Sequence, residues 1–152
     1  MKTVSDIIAS KSHPANIIEP TAKVIDALRI LEKLNLSYVI VMDGDQYKGV
    51  FSERDYSRNV VLKGKHSQTA VIEEVMNTDL PVVKMDDSIE HCMELIAQHK
   101  ARYLVAYDGK KYQGVITIHD LIRLALANPT DVFEHELKQR LIDTAESGGK
   151  IY

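Results

Sequence analysis

The sequence is poor in the residues that several common kinds of protein depend on. A single cysteine, Cys92, in 152 residues excludes an internal disulfide and any multi-cysteine zinc site. Six histidines are present, but neither H-E-x-x-H nor another paired ligand spacing brings two of them together, so no metal site is expected. His13, His66, His91, His99 and His135 read as surface residues. No G-x-S-x-G elbow surrounds a serine, so nothing supports a serine nucleophile. Long apolar runs are missing too. Stretches such as Tyr38–Met42 are strand-length and cannot span a bilayer, and the start MKTVSDII, interrupted by Asp6, does not read as a signal peptide. Basic residues are not in excess: the net charge is -3 and the pI about 6.1. Nucleic acid is therefore not the expected partner. With 45% apolar and 27% charged residues, the chain is expected to be soluble and cytoplasmic, as one domain or two small halves sharing a core.

What the sequence does contain is a repeat. Gly49 and Gly114 each open a Gly-Val-apolar-Ser/Thr-x-x-Asp run, 65 residues apart (49 to 114). That offset runs without a gap from Ile17/Val82 to Arg58/Arg123. Tyr38/Tyr103, Asp43/Asp108, Gly44/Gly109, Tyr47/Tyr112, Gly49/Gly114, Val50/Val115, Asp55/Asp120 and Arg58/Arg123 are identical pairs along it. The apolar pattern also matches. A short apolar stretch (Ile17-Ile18; Val82-Val83) is followed by a cap region (Thr21; Asp86-Asp87-Ser88). Apolar residues then recur at helical spacing: Val24, Ala27, Leu28, Leu31 and Leu34, then Ile89, Cys92, Met93 and Ile96. Two strands follow in each copy, Tyr38–Met42 with Tyr47–Phe51 and Tyr103–Tyr107 with Tyr112–Ile116, joined through Asp-Gly hairpins. A helix then begins at Ser52 or Thr117.

The expected fold is α+β: two β-α-β-β-α repeats packed with pseudo-twofold symmetry through their sheets, plus short terminal helices. The expected division is 1–62 for repeat 1 with an N-terminal segment, 63–70 for a linker, 71–127 for repeat 2, and 128–152 for a C-terminal helix (Val132, Leu137, Leu141, Ile142) and a mobile tail. Val71–Met76 echoes the helical turn around Val4, Ile7 and Ile8. Cys92 lies on an apolar helix face and reads as a buried, inert thiol.

The two Ser/Thr-x-x-Asp runs have two readings. As helix caps they need no ligand. As a site they suit a ribose phosphate. Asp55 or Asp120 can accept hydrogen bonds from two ribose hydroxyls, Ser52 or Thr117 can donate and accept, and free N–H groups at a helix start favour a phosphate. A carboxylate repels that phosphate, so a cation must compensate, and Arg54, Arg102 and His119 are the candidates. Arg102 is matched by Ser37 in the first copy, so the two positions are not equivalent. Tyr38 and Tyr103 head matching strands, where core packing and adenine stacking are the alternatives.

These runs, GVFSERD and GVITIHD, with the hairpins VMDGDQYKGV and AYDGKKYQGV and the segment VIEEVM, make residues 1–127 resemble the tandem CBS-domain family, named for the regulatory domain of cystathionine β-synthase. SERDYSRNVVLKGK is especially similar to small stand-alone bacterial members. The resemblance implies two repeats packed through their sheets, a homodimer, and clefts that bind AMP, ADP, ATP, NAD or S-adenosylmethionine. Carried onto this chain, it implies one ligand set at Ser52, Arg54 and Asp55 and a second at Thr117, His119 and Asp120. Arg102 falls at a phosphate-contacting position, and Ile18 and Val83 on first strands that border adenine. His119 stands where relatives often carry a small residue, and the proline that many members have two or three residues after the basic position is missing from R-Y-L-V, residues 102–105.

The reading that follows is a non-catalytic sensor of an adenosine nucleotide, AMP first and NAD or ATP next, with no catalytic cofactor. It would act through a homodimer or an unidentified regulated protein. The alternative is a structural dimerisation module whose motifs are only caps. An enzyme is not expected, because no nucleophile, base and metal set is present.

Overall fold

The computed structural model describes residues 2–127, 139–140 and 142–143; the rest of the expected C-terminal helix and tail lies outside the described residues. The chain is α+β, with the β-α-β-β-α unit present twice. Helix α1 (Val4–Ser10) precedes the first copy, which contains β1 (Ile17–Ile18), α2 (Val24–Leu34), β2 (Tyr38–Asp43), β3 (Gln46–Ser52) and α3 (Glu53–Asp55). The α3 turn continues as a π-helical stretch, Tyr56–Val61. Helix α4 (Ile72–Val75) precedes the second copy: β4 (Val82–Lys84), α5 (Ile89–His99), β5 (Tyr103–Asp108), β6 (Lys111–Thr117) and α6 (Ile118–Ala127).

Each copy forms its own three-stranded sheet, ordered β1-β2-β3 and β4-β5-β6. The first pair in each sheet is parallel and the second antiparallel. Both hairpins turn over two residues. Gly44 and Gly109 hold the first loop position at φ 63° and 61°, the positive value that a type II′ turn requires there and that glycine adopts without strain. Both hairpins also shift register opposite the same place, between Val41/Met42 and Ala106/Tyr107. The duplication thus extends to a β-bulge. Helices α2 and α5 end alike in a left-handed residue, Asn35 and Lys100.

Packing groups the chain differently from the repeats. One compact unit is His13–Asp79; the other combines residues up to Ser12 with those from Leu80 on. The N-terminal segment, expected with repeat 1, is thus built into the unit of repeat 2. Val4 and Ile7 join a core made by Val83, Ile89, Cys92, Met93, Ile96, Leu104, Ile116 and Leu121. In the other unit, Ile72 and Val75 join Ile18, Val24, Ala27, Leu31, Val39, Val41 and Phe51. The two short helices dock by the same bonds. Val4 N and Ser5 N donate to Asp87 O and Met85 O, while Ile72 N and Glu73 N donate to the repeat-related Ala22 O and Pro20 O. Neither helix is long enough to be stable alone, so this docking is what holds each one.

The expected cap at Thr21 is not used, since α2 begins after Lys23 without a side-chain cap. Its first free amides are satisfied from the segment expected to be a solvated linker: Val24 N donates to Ala70 O at 3.0 Å and Ile25 N to Ser67 O at 2.8 Å. Helix α5 does use its serine, Ser88 Oγ accepting from His91 N at 3.1 Å. Cys92 is fully buried, and that desolvation pushes its thiol up to about 12, so the thiolate needed for nucleophilic chemistry is absent at neutral pH.

Candidate functional site

In the unit of repeat 1, β3 ends at Ser52 and α3 begins immediately after it. The strand pairs Ser52 with Tyr38, and Glu53 N donates to Ser37 O at 3.0 Å, which fixes the angle at which the chain leaves the sheet. Asp55, three residues on, folds back. Its Oδ2 accepts from Ser52 N and from Ser52 Oγ, both at 2.9 Å, while Asp55 N donates to Ser52 Oγ at 3.3 Å. This is a closed capping box. Both bonds made by the carboxylate fall on one oxygen; Oδ1 accepts no hydrogen bond from the described residues. Burial raises the Asp55 carboxyl above its ordinary value, and this outweighs the opposing pull of the Ser52 bonds and the Arg58 and Arg54 charges. Ser52 is buried and Arg54 half-buried. Ile18 packs in this unit's core, and Tyr38 is half-buried at the head of β2.

The unit of repeat 2 places its motif identically in the backbone. Thr117 pairs with Tyr103, Ile118 N donates to Arg102 O at 2.8 Å, Thr117 N donates to Asp120 Oδ2 at 2.9 Å, and Asp120 N donates to Thr117 Oγ1 at 3.1 Å. The side-chain environment differs. Lys11 Nζ lies 2.7 Å from Asp120 Oδ2, and Arg123 Nη2 lies 3.3 Å from Oδ1. Both oxygens of Asp120 are engaged. His119 is exposed on α6, Val83 is in the core, and Tyr103 is buried. Arg102 is half-buried, and its Nε is buried without a hydrogen-bond partner among the described residues.

The candidates thus fall into two groups, one per unit: Ser52, Arg54, Asp55, Ile18 and Tyr38, and Thr117, His119, Asp120, Arg102, Val83 and Tyr103. Three contributors escaped the sequence reading. Asn16 is buried; its Nδ2 donates to Tyr38 O at 3.0 Å and its carbonyl accepts from Ile40 N at 2.8 Å, so it pins β1 to the strand carrying Tyr38. Its only sequence signal is a polar residue directly before an apolar pair. Arg123 had one, since Asp120 and Arg123 share the i,i+3 helix spacing. Lys11 had none. Among the described residues no group of three His, Cys, Asp or Glu side chains is placed to hold a metal ion, and no helix is long and apolar enough to cross a membrane.

Because Ser52 closes its box from a buried position, Ser52→Ala is expected to lower stability by about 1 kcal/mol. Urea unfolding should show a lower midpoint with an unchanged m-value.

A duplicated β-α-β-β-α unit with a Ser/Thr-x-x-Asp cap at each strand–helix junction defines a tandem-repeat α+β fold. The family model for the CBS domain matches residues 4–61 and 72–127, and the chain belongs to the CBS-domain family. It is 26% identical over 128 residues to the CBS domain-containing protein YhcV of Bacillus subtilis, spanning 84% of this chain and 89% of that one. Among solved structures, a CBS-domain protein of Burkholderia ambifaria MC40-6 is 30% identical with a TM-score of 0.73, spanning 88% of this chain and 99% of that one. CBSX2, solved in complex with AMP, is 26% identical with a TM-score of 0.65, spanning 84% and 98%.

Proposed function

We propose that this chain is a non-catalytic regulatory module that binds an adenosine nucleotide, AMP in preference to NAD or ATP, through the Ser52–Asp55 motif. The observation that carries this reading is the unequal state of two otherwise matched carboxylates. Asp120 has both oxygens in ion pairs, whereas Asp55 Oδ1 accepts no hydrogen bond from the described residues. A half-buried carboxylate short of donors is stabilised by hydroxyls that supply them, and a ribose offers two. Ser52 orients the carboxylate, Arg54 supplies the compensating cation for a phosphate, and Ile18 and Tyr38 are the apolar and aromatic contacts for a base. Thr117, His119, Asp120, Arg102, Val83 and Tyr103 form the weaker second set. AMP is favoured because CBSX2, a relative of similar length, was solved with it.

A cytoplasmic homodimer is the form in which such a module would act, since a ligand can shift only an equilibrium that already exists. Val61, Leu62 and Leu126 are exposed apolar side chains, and Val61 and Leu126 occupy matched positions in the two repeats, which supports an apolar patch on each unit for a second copy or a regulated protein.

Titration calorimetry with AMP, ATP and NAD tests the proposal. One AMP per chain is expected, with a rise in melting temperature; no heat at millimolar ligand would refute it. A purely structural module has one observation in its favour, that both motifs do close as caps. It is distinguished by the absence of any nucleotide-induced rise in melting temperature.

A further inference from the structure

The hydrogen bonds that dock α1 and α4 set the N-terminal segment in register with the segment after α4. Val4 corresponds to Ile72 and Ser5 to Glu73. Counted onward from those matches, the residue in the place of Lys11 is Asp79, so the first motif has a carboxylate where the second has an ammonium. In the unit of repeat 2, Lys11 Nζ donates to Val115 O at 3.0 Å as well as to Asp120 Oδ2 at 2.7 Å. In the unit of repeat 1, the matching carbonyl, Val50 O, accepts from the backbone of Asn77 at 2.8 Å, and no cation reaches Asp55 by that route.

The arginines differ as well. Arg58 and Arg123 are repeat-related, yet only Arg123 bonds its aspartate. The regular α6 keeps Arg123 at i,i+3 from Asp120, whereas the π-helical winding from Tyr56 carries Arg58 through a different turn. Of the two cations on Asp120, Lys11 is the stronger partner. It is 28% exposed against 76% for Arg123, and an ion pair shielded from water is worth more than an exposed one. Space does not close Asp120. A hollow of about 330 Å³ lined also by Asp6, Ser10, Arg123 and Leu124 reaches it. What closes it is the saturation of its oxygens.

We propose that Lys11 is an internal competitor that occupies the second motif: its ammonium takes the place on Asp120 that ribose hydroxyls would need, and so limits the chain to one nucleotide, held at Asp55. This rests on the nucleotide-binding reading above. It also makes Lys11 a determinant of stoichiometry, since any ligand that used Asp120 would first have to displace the segment following α1.

The test is titration of the full chain with AMP, comparing wild type with Lys11→Met, Lys11→Gln and Lys11→Arg. Wild type and Lys11→Arg are expected to bind one AMP per chain. Lys11→Met and Lys11→Gln should bind two, the second at least about tenfold more tightly than any second event in wild type. Adding Asp120→Ala to Lys11→Met should abolish the gained site. Lys11→Gln is one atom shorter than lysine but keeps an uncharged amide donor for Val115 O, so it guards against loss of folding in the methionine variant. One AMP per chain in every variant, with only the melting temperature changed, would make Lys11 a structural strut and overturn the proposal. Two AMP in wild type would overturn it while leaving nucleotide binding intact. No binding in wild type with one AMP in Lys11→Met would uphold the latch and refute the choice of Asp55. No binding anywhere would end both.

Discussion

Asp55→Ala is expected to lower AMP affinity by about 100-fold or more, and Asp120→Ala by no more than about threefold. Two hydroxyls donating to a carboxylate are charge-assisted bonds worth about 1.5–3 kcal/mol each, so removing the acceptor moves Kd by two orders of magnitude or more. Asp120 differs because its oxygens are already matched with Lys11, Arg123 and Thr117, so its removal deprives a ligand of little. Calorimetry on the two variants decides it, and the reverse ranking would refute the assignment of the first motif. The pH dependence adds an independent signature. The Asp55 carboxyl is raised mainly by burial, and donors from a ligand favour its ionised form. Affinity should therefore fall as pH drops through the raised value, with proton release on binding in that window.

The same shift fixes the sign of the stability effect. A carboxyl raised on folding contributes most below its unfolded value and loses that contribution as pH rises through its folded value. At neutral pH the ionised Asp55 therefore weighs against the fold. Asp55→Asn, which retains an acceptor for Ser52 N, removes that burden. Its advantage over wild type should vanish as acid protonates Asp55. Loss of binding together with a gain in neutral-pH stability is what distinguishes a ligand-holding residue from a plain cap.

Much of the secondary structure was legible because its causes are local. The helical spacing of Val24, Ala27 and Leu31 and of Ile89, Cys92, Met93 and Ile96 marks the faces that are buried, and each Asp-Gly marks a hairpin whose glycine takes a positive φ. The Ser-x-x-Asp box was legible for the same reason, its partners being three residues apart. Four features were not. The π-helical stretch after Asp55 leaves no mark in the spacing of its residues. Asn16 acts through the backbone of Tyr38, which composition does not reveal. The capping of α2 by Ser67 and Ala70 uses carbonyls, which every residue has. Lys11 meets Asp120 across 109 residues of chain, and pairs of that separation are set by how segments dock. The sequence thus announced two motifs and, in Arg102 against Ser37, that they are unequal, while the Lys11 contact that saturates Asp120 is one that no local pattern encodes.

The docking of α1 has the largest consequence for stability. Val4 is fully buried and Ile7 nearly so, among residues of repeat 2, although both precede repeat 1 in the chain. Truncating both to alanine in one variant removes apolar volume from that core. Burial of a single isoleucine lost to alanine costs about 2–5 kcal/mol, so the double variant should lose at least that much. The location of the damage is the sharper readout. Hydrogen exchange is expected to speed up at β5 and β6, at Leu104 and Ile116, more than at β2 and β3, at Ile40 and Phe51, because foldons follow packing and not sequence order. Thr3, Val4 and Ser5 bridge backbone to Ser88, Asp87 and Met85, so a loosened α1 also frees the turn that starts α5. Exchange that rises first in 13–79, or only within 1–12, would refute the assignment of α1 to the core of repeat 2. In the converse variant, Ile72→Ala, the order should invert, since Ile72 supplies to the core of Phe51 what Val4 supplies to that of Ile116.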